Sequence, residues 1–207
     1  MKQVTKREYS GLESAYQFFD ARLFGGCLPD CLITLNRKAG SKGYFSPERY
    51  QGREDKTGVV DELALNPDTF DGRSDLEILS TLVHEQAHVW QQHFGEPSRS
   101  GYHNKQWADK MQEVGLMPSD SGLPGGKRTG QRVTHYIIEG GRFDVAAKEF
   151  LADGFKLGWQ SPVGRGKEKL PSSKTKFSCC ECGETNAWAK PDSRLLCGLC
   201  GSVMLIA

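Results

Sequence analysis

The stretch SDLEILSTLVHEQAHVWQQHF, residues 74–94, decides how the chain is read. Leu79, Leu82, Val83, Ala87 and Trp90 recur at the spacing of one face of a helix. Ser74 stands as an N-cap with Glu77 three residues on, a capping-box pair that opens a helix over about Asp75 to Phe94. Inside it, His84, Glu85 and His88 form an H-E-x-x-H pattern. Residues four apart leave a helix on the same side, so the two imidazoles can reach one ion. Glu85 lies about 60° around the helix from His88, at about 3.6 residues per turn. From there it can activate a zinc-bound water as general base without being a ligand itself.

A catalytic zinc needs a third protein ligand and one open position. His93 follows His84 by nine residues, which is about 180° around the helix, so it points away. The longer metzincin pattern is absent, because Gln91 and Phe94 stand where it requires Gly and His. His103 opens a further helix after a loop holding Gly95, Pro97 and Gly101, and such a loop can fold the chain back. His103 is the expected third ligand, with Glu113 on the same helix as the alternative.

Working outward, an N-terminal helix is expected over about Gly11 to Leu23, with Leu12, Ala15, Tyr16, Phe19 and Leu23 on its buried stripe. Short strands follow at Cys31 to Leu35, Gly43 to Ser46 and Val59 to Leu65. Beyond the metal helix come a helix over Asn104 to Val114, closed by Gly115, and a Gly/Pro-rich loop over Leu116 to Gly130. A strand over Arg132 to Ile138 and a helix over Phe143 to Ala152 complete this part. His135 and Tyr136 are neighbours on that strand and face opposite sides. One of them could donate to a developing oxyanion, or they are a satisfied histidine and a core aromatic.

From Lys156 to Lys176 the composition changes. Lys156, Arg165, Lys167, Lys169, Lys174 and Lys176 stand against the single acid Glu168 among Gly, Pro and Ser, which predicts a flexible basic linker. Cys179, Cys182, Cys197 and Cys200 then form two C-x-x-C-G knuckles with fourteen residues between them. Four thiolates at this spacing suit a closed, structural zinc, whose binding would supply much of the folding energy of so small a segment. Cys180 is the spare thiol, and Cys27 and Cys31 are expected to be small buried residues. Lys174, Lys176, Lys190 and Arg194 could grip phosphates while Trp188 stacks on a base. A solvated stabilising knob or a protein-docking surface is the alternative.

The run ELALNP, residues 62–67, the HEQAH of residues 84–88 and the HNKQW of residues 103–107 together resemble the SprT/Spartan metalloproteases. With the cysteine cluster, the resemblance covers about Gly11 to Ala207. It implies an α+β fold: a zincin-like domain with a mixed sheet beside the metal helix, and a small C-terminal zinc ribbon. It implies His103 as third ligand, and a peptidase acting on proteins attached to DNA. It also implies that Val59 to Leu65 is an edge strand able to pair with an extended substrate, or else an ordinary core strand. Asn104 departs from the family's usual glycine, and Asn is expected to tolerate the same unusual backbone angles.

Composition sets the outer bounds. The chain has 207 residues, 37% hydrophobic and 26% charged, enough for one domain with a real core and an appendage. The expected division is residues 1–155, 156–176 and 177–207. A net charge of +1 means that any affinity for nucleic acid must come from local clusters. No apolar run is long enough to span a membrane, Met1 to Ser10 has no signal-like core, and seven cysteines are an odd number. These point to a reducing, cytosolic setting, with association to DNA there. The expectation is a zinc endopeptidase holding two zinc ions, with a protein substrate and DNA as partners. The alternatives are a DNA- or protein-binding module with an idle centre, and a peptidase indifferent to DNA.

Overall fold

The computed structural model describes residues 3–54, 56, 58–162 and 174–207. Most of the expected linker, residues 163–173 with Arg165, Lys167, Glu168 and Lys169, lies outside the described residues. The chain divides into two compact units, residues 1–161 and 162–207.

In the first unit, α1 (Val4–Phe19) runs into a π-helical turn at Asp20–Phe24, which Gly25 ends with φ of 78°. The helix begins well before its apolar stripe. Glu8, buried in its early turns, accepts the Gly158 N–H from the far end of the unit, a contact no local pattern reveals. Three strands follow, β1 (Cys31–Leu35), β2 (Gly43–Gln51) and β3 (Val59–Leu65), in the order β1-β3-β2. β1 runs parallel to β3 and β2 antiparallel to it, so the sheet is mixed. β3 is therefore the central strand, which corrects the expectation of an edge: both its sides are paired, and Asp61 to Leu65 are all buried.

The edge beside the metal helix is β2. Pro47 sits in it, as proline can only where a strand has a free side. The register shifts between Ser46 and Tyr50, where Glu48 adopts φ of 48° and donates its N–H to Asp61 Oδ1 at 2.7 Å. This irregularity carries the strand five residues past its predicted end at Ser46.

α2 (Asp75–Phe94) packs on the sheet with the capping box formed: Glu77 N–H reaches Ser74 Oγ at 3.3 Å, and the Glu77 carboxylate accepts the Ser74 N–H at 2.8 Å. Leu63 and Leu65 of β3 and Leu79, Leu82 and Val83 of α2 join Phe19 in one core. To this core α3 (Lys105–Val114) adds Trp107 and Met111, and α4 (Arg142–Ala152) adds Phe143. Between these helices, β4 (Leu116–Ser119) pairs antiparallel with β5 (Thr134–Ile137). β4 falls in what reads as loop sequence, and pairing with β5 rather than its own pattern makes it a strand. Lys156 to Ser161, assigned by composition to the linker, run against this unit. Leu157 packs on the core and the Ser161 N–H donates to the Pro67 carbonyl at 3.1 Å.

The second unit is a four-stranded antiparallel sheet of β6 (Thr175–Cys179), β7 (Asn186–Ala189), β8 (Leu195–Leu196) and β9 (Val203–Ile206), in the order β7-β6-β9-β8. One face buries Phe177, Cys179 and Met204, with Cys197 beside them. Together the two units are α+β. Among the described residues, no helix is long and apolar enough to cross a membrane.

Candidate metal centres

α2 presents His84, Glu85 and His88 toward a cleft of about 630 Å³ that is also lined by Lys42 to Phe45 of β2 and its approach. His103 arrives from the residue before the N-cap of α3. One nitrogen from each of His84, His88 and His103 lies within 4.8 Å of the others, with ring centroids 4.9 to 5.5 Å apart. Two fastenings hold the third histidine, one of them to α2. Gln91 Nε2 donates to Asn104 Oδ1 at 2.6 Å, and His103 pairs with Gly130 through reciprocal backbone hydrogen bonds of 2.8 and 3.0 Å. Asn104 has φ of −87° and ψ of 179°, ordinary extended backbone, so tolerance of unusual angles is not its role. Its side chain caps α3 instead, accepting the Trp107 N–H at 3.0 Å.

Trp107 is the floor of the site. It is fully buried, and its ring lies 4.3 to 5.1 Å from all three imidazoles, stacked most nearly parallel on His88. This apolar base keeps the rings neutral. Burial pushes His88 down to about 3, and it lowers His84 and His103 too, with neighbouring imidazoles adding to the shift in His84. A neutral imidazole is the form that binds a metal. His103 donates its Nδ1 proton toward the Gly130 carbonyl at 3.1 Å, which leaves Nε2 as the free lone pair. Burial pushes the Glu85 carboxyl up to about 8, partly offset by Lys38. Three neutral nitrogen donors with a carboxyl group beside them are a set that could hold a metal ion.

The remaining sequence candidates sit elsewhere. His93 Nε2 is 2.7 Å from Asp61 Oδ2, outside the histidine cluster. Glu113, the alternative ligand, pairs with Lys110 at 2.7 Å and lies 3.7 Å from an Arg142 nitrogen. His135 does reach the site. Its Nδ1 is 3.1 Å from His84 Nδ1 and its Nε2 is 2.9 Å from Ser80 Oγ. Both ring nitrogens are thus engaged, one by His84 and one by Ser80. Burial takes His135 down to about 3, with Lys42 and Arg73 pushing the same way. Sequence spacing could not link residues 84 and 135, although His135 is one of only five histidines. Gly43 also went unread, and a Cβ there would stand 3.0 Å from Glu85 Oε1.

In the second unit the sulfurs of Cys179, Cys182, Cys197 and Cys200 lie within 4.8 Å of one another, consistent with zinc. The Thr185 hydroxyl, 3.2 Å away, together with backbone N–H groups of Cys200 and Leu199, pulls the Cys197 thiol down to about 6. Cys180 is exposed and stands outside the set, 3.7 Å from the Val203 carbonyl. Cys31 is half-buried and Cys27 exposed, so the latter is not the buried residue expected. Lys176 faces Trp188 across the β6–β7 ladder, and Lys174, Lys190 and Arg194 are exposed at strand ends.

An uncharacterized protein in the mucB 3' region of Salmonella typhimurium is 46% identical over 59 residues, which is 28% of this chain and 78% of the relative. No solved structure matches the chain. The model of the SprT-like family matches residues 12–134, a span that takes in β1 to β3, the H-E-x-x-H helix, His103 and Trp107. More than half of the sequence is covered by that match, and the chain belongs to the SprT-like family.

Proposed function

We propose that this chain is a zinc-dependent endopeptidase, with His84, His88 and His103 as ligands and Glu85 as general base, acting on proteins associated with or crosslinked to DNA. The observation that carries the reading is the convergence of three neutral imidazoles and one carboxyl group in a single open cleft. Zinc, when bound, supplies Lewis acidity and positive charge, which acidify water, polarise the scissile carbonyl and draw Glu85 to its carboxylate form.

The protein's own groups do the rest. An extended polypeptide laid along the free side of β2 gains main-chain hydrogen bonds there and brings a peptide carbonyl over the histidines. Glu85 takes a proton from the attacking water while its oxygen bonds to the carbonyl carbon, then passes that proton to the amine nitrogen as the C–N bond breaks. Gly43 leaves room for the carboxylate to make these contacts. A zincin-like fold agrees with a metal helix packed beside a mixed sheet.

DNA enters through the second unit. Trp188 is 65% exposed and cross-strand from Lys176, an aromatic and a cation on one sheet face, with Lys190 and Arg194 nearby in sequence. Such a face stacks bases and meets phosphates.

The test is cleavage of a DNA-bound protein by the purified full-length chain, with and without DNA. Glu85→Gln is expected to lower turnover by about 10²–10⁴-fold with zinc content unchanged. Equal cleavage by that variant removes Glu85 as base. Cleavage indifferent to DNA, and to Cys197→Ser with Cys200→Ser, removes the DNA part and leaves a peptidase of free proteins.

A further inference from the structure

A row of hydrogen bonds runs away from the histidine cluster. His84 Nδ1 meets His135 Nδ1 at 3.1 Å, and His135 Nε2 meets Ser80 Oγ at 2.9 Å. Ser80 donates its one hydroxyl proton to the carbonyl oxygen of Glu77, back along α2, at 2.8 Å. The direction of every bond follows from the last one. With its proton committed, Ser80 Oγ can only accept from His135, so His135 carries its proton on Nε2. A neutral ring protonated on Nε2 has a bare Nδ1, which can only accept. His84 must then carry its proton on Nδ1 and donate it to His135. The lone pair of His84 is left on Nε2, free for an ion.

We propose that His135 is a positioning residue that, through the row Glu77–Ser80–His135, holds His84 in the tautomer able to ligate metal through Nε2. The proposal rests on zinc binding by His84, His88 and His103 as put forward above. The topology shows why a side chain is needed here. His103 lies outside a helix and donates to a main-chain carbonyl, that of Gly130. His84 lies in the middle of α2, and its Nδ1 meets the ring of His135 instead of a main-chain carbonyl. Its outer partner comes from another element, β5.

Two measurements on the full-length, zinc-loaded protein test this. Long-range proton–nitrogen NMR of the imidazoles reads where each proton sits, and a structural role alone would not set that pattern. The expected result is His84 protonated at Nδ1 and His135 at Nε2. A proton on His84 Nε2, or zinc on its Nδ1, overturns the proposal. Chelator competition then reads zinc retention in His135→Phe, which keeps a ring without an acceptor, and in His135→Asn, whose amide oxygen can accept. The Phe variant is expected to hold the histidine-site zinc about 10–100-fold more weakly. The Asn variant should recover part of that loss, and the four-cysteine zinc should be unchanged in both. Wild-type affinity in the Phe variant overturns the row and leaves the zinc site standing. If the Phe variant does not fold, the NMR pattern of the wild-type protein decides. Absence of zinc from the histidines of the wild-type protein removes the site and the row together.

Discussion

A methyl group added at Gly43 would stand 2.8 Å from the Ala64 carbonyl oxygen and 3.0 Å from Glu85 Oε1. The glycine is required by space, because strand and carboxylate pass too closely for any side chain. Gly43→Ala should therefore shift Glu85 or β2 and lower kcat by on the order of 10²-fold, since small misplacements of a catalytic group have effects of that size. Zinc content should not change, and steady-state kinetics beside metal analysis would check both. Residues of this kind were not legible in the sequence, because the approach joins positions 43 and 85 from different elements. The pair His84 and His88 was legible because helical spacing alone brings them together. That His103 joins this pair was legible, and the structure brings the three together, but the means of its return was not: the Gln91–Asn104 hydrogen bond appears only in three dimensions.

At the scale of elements, α2 is the piece the sequence describes most fully, from its cap to its last turn. Ser74→Ala removes one side of the capping box and should destabilise the first unit by about 1 kcal/mol in urea unfolding near neutral pH. The Ser74 N–H and hydroxyl hold the Glu77 carboxyl below its ordinary value. A carboxylate depressed by folding contributes stability above its unfolded pKa, about 4.3, and loses it as pH falls through the lower folded value. The effect of Ser74→Ala should accordingly shrink in acid; an undiminished difference at pH 3 would contradict this account. Strand positions were read well for β1 and β3, short segments rich in apolar and β-branched residues bounded by turn-forming stretches. Strand order was not, because β3 owes its central place to a parallel partner earlier in the chain. β4 was missed for a related reason, since its four residues become a strand only against β5.

For the molecule as a whole, the two units differ in how much apolar surface they bury. The first has a broad apolar core spanning α1 to α4, whereas the second buries little beyond Phe177, Cys179, Cys197 and Met204. So small a core does not hold a fold without help, and a metal ion at the four cysteines would supply the difference. Cys197→Ser combined with Cys200→Ser should remove one of two zinc ions and unfold residues 174–207, leaving the unfolding midpoint of the first unit in place. Limited proteolysis and metal analysis would show it, and a second unit that stays folded without metal would contradict it. The floor of the histidine site has one more consequence, an optical one. Trp107 is one of four tryptophans and, among the described residues, the one whose indole lies against His84, His88 and His103. Its emission is a built-in gauge of loading at that position. Cobalt(II) added there should quench the fluorescence, an effect His103→Ala would abolish, whereas Cys197→Ser with Cys200→Ser should leave it in place.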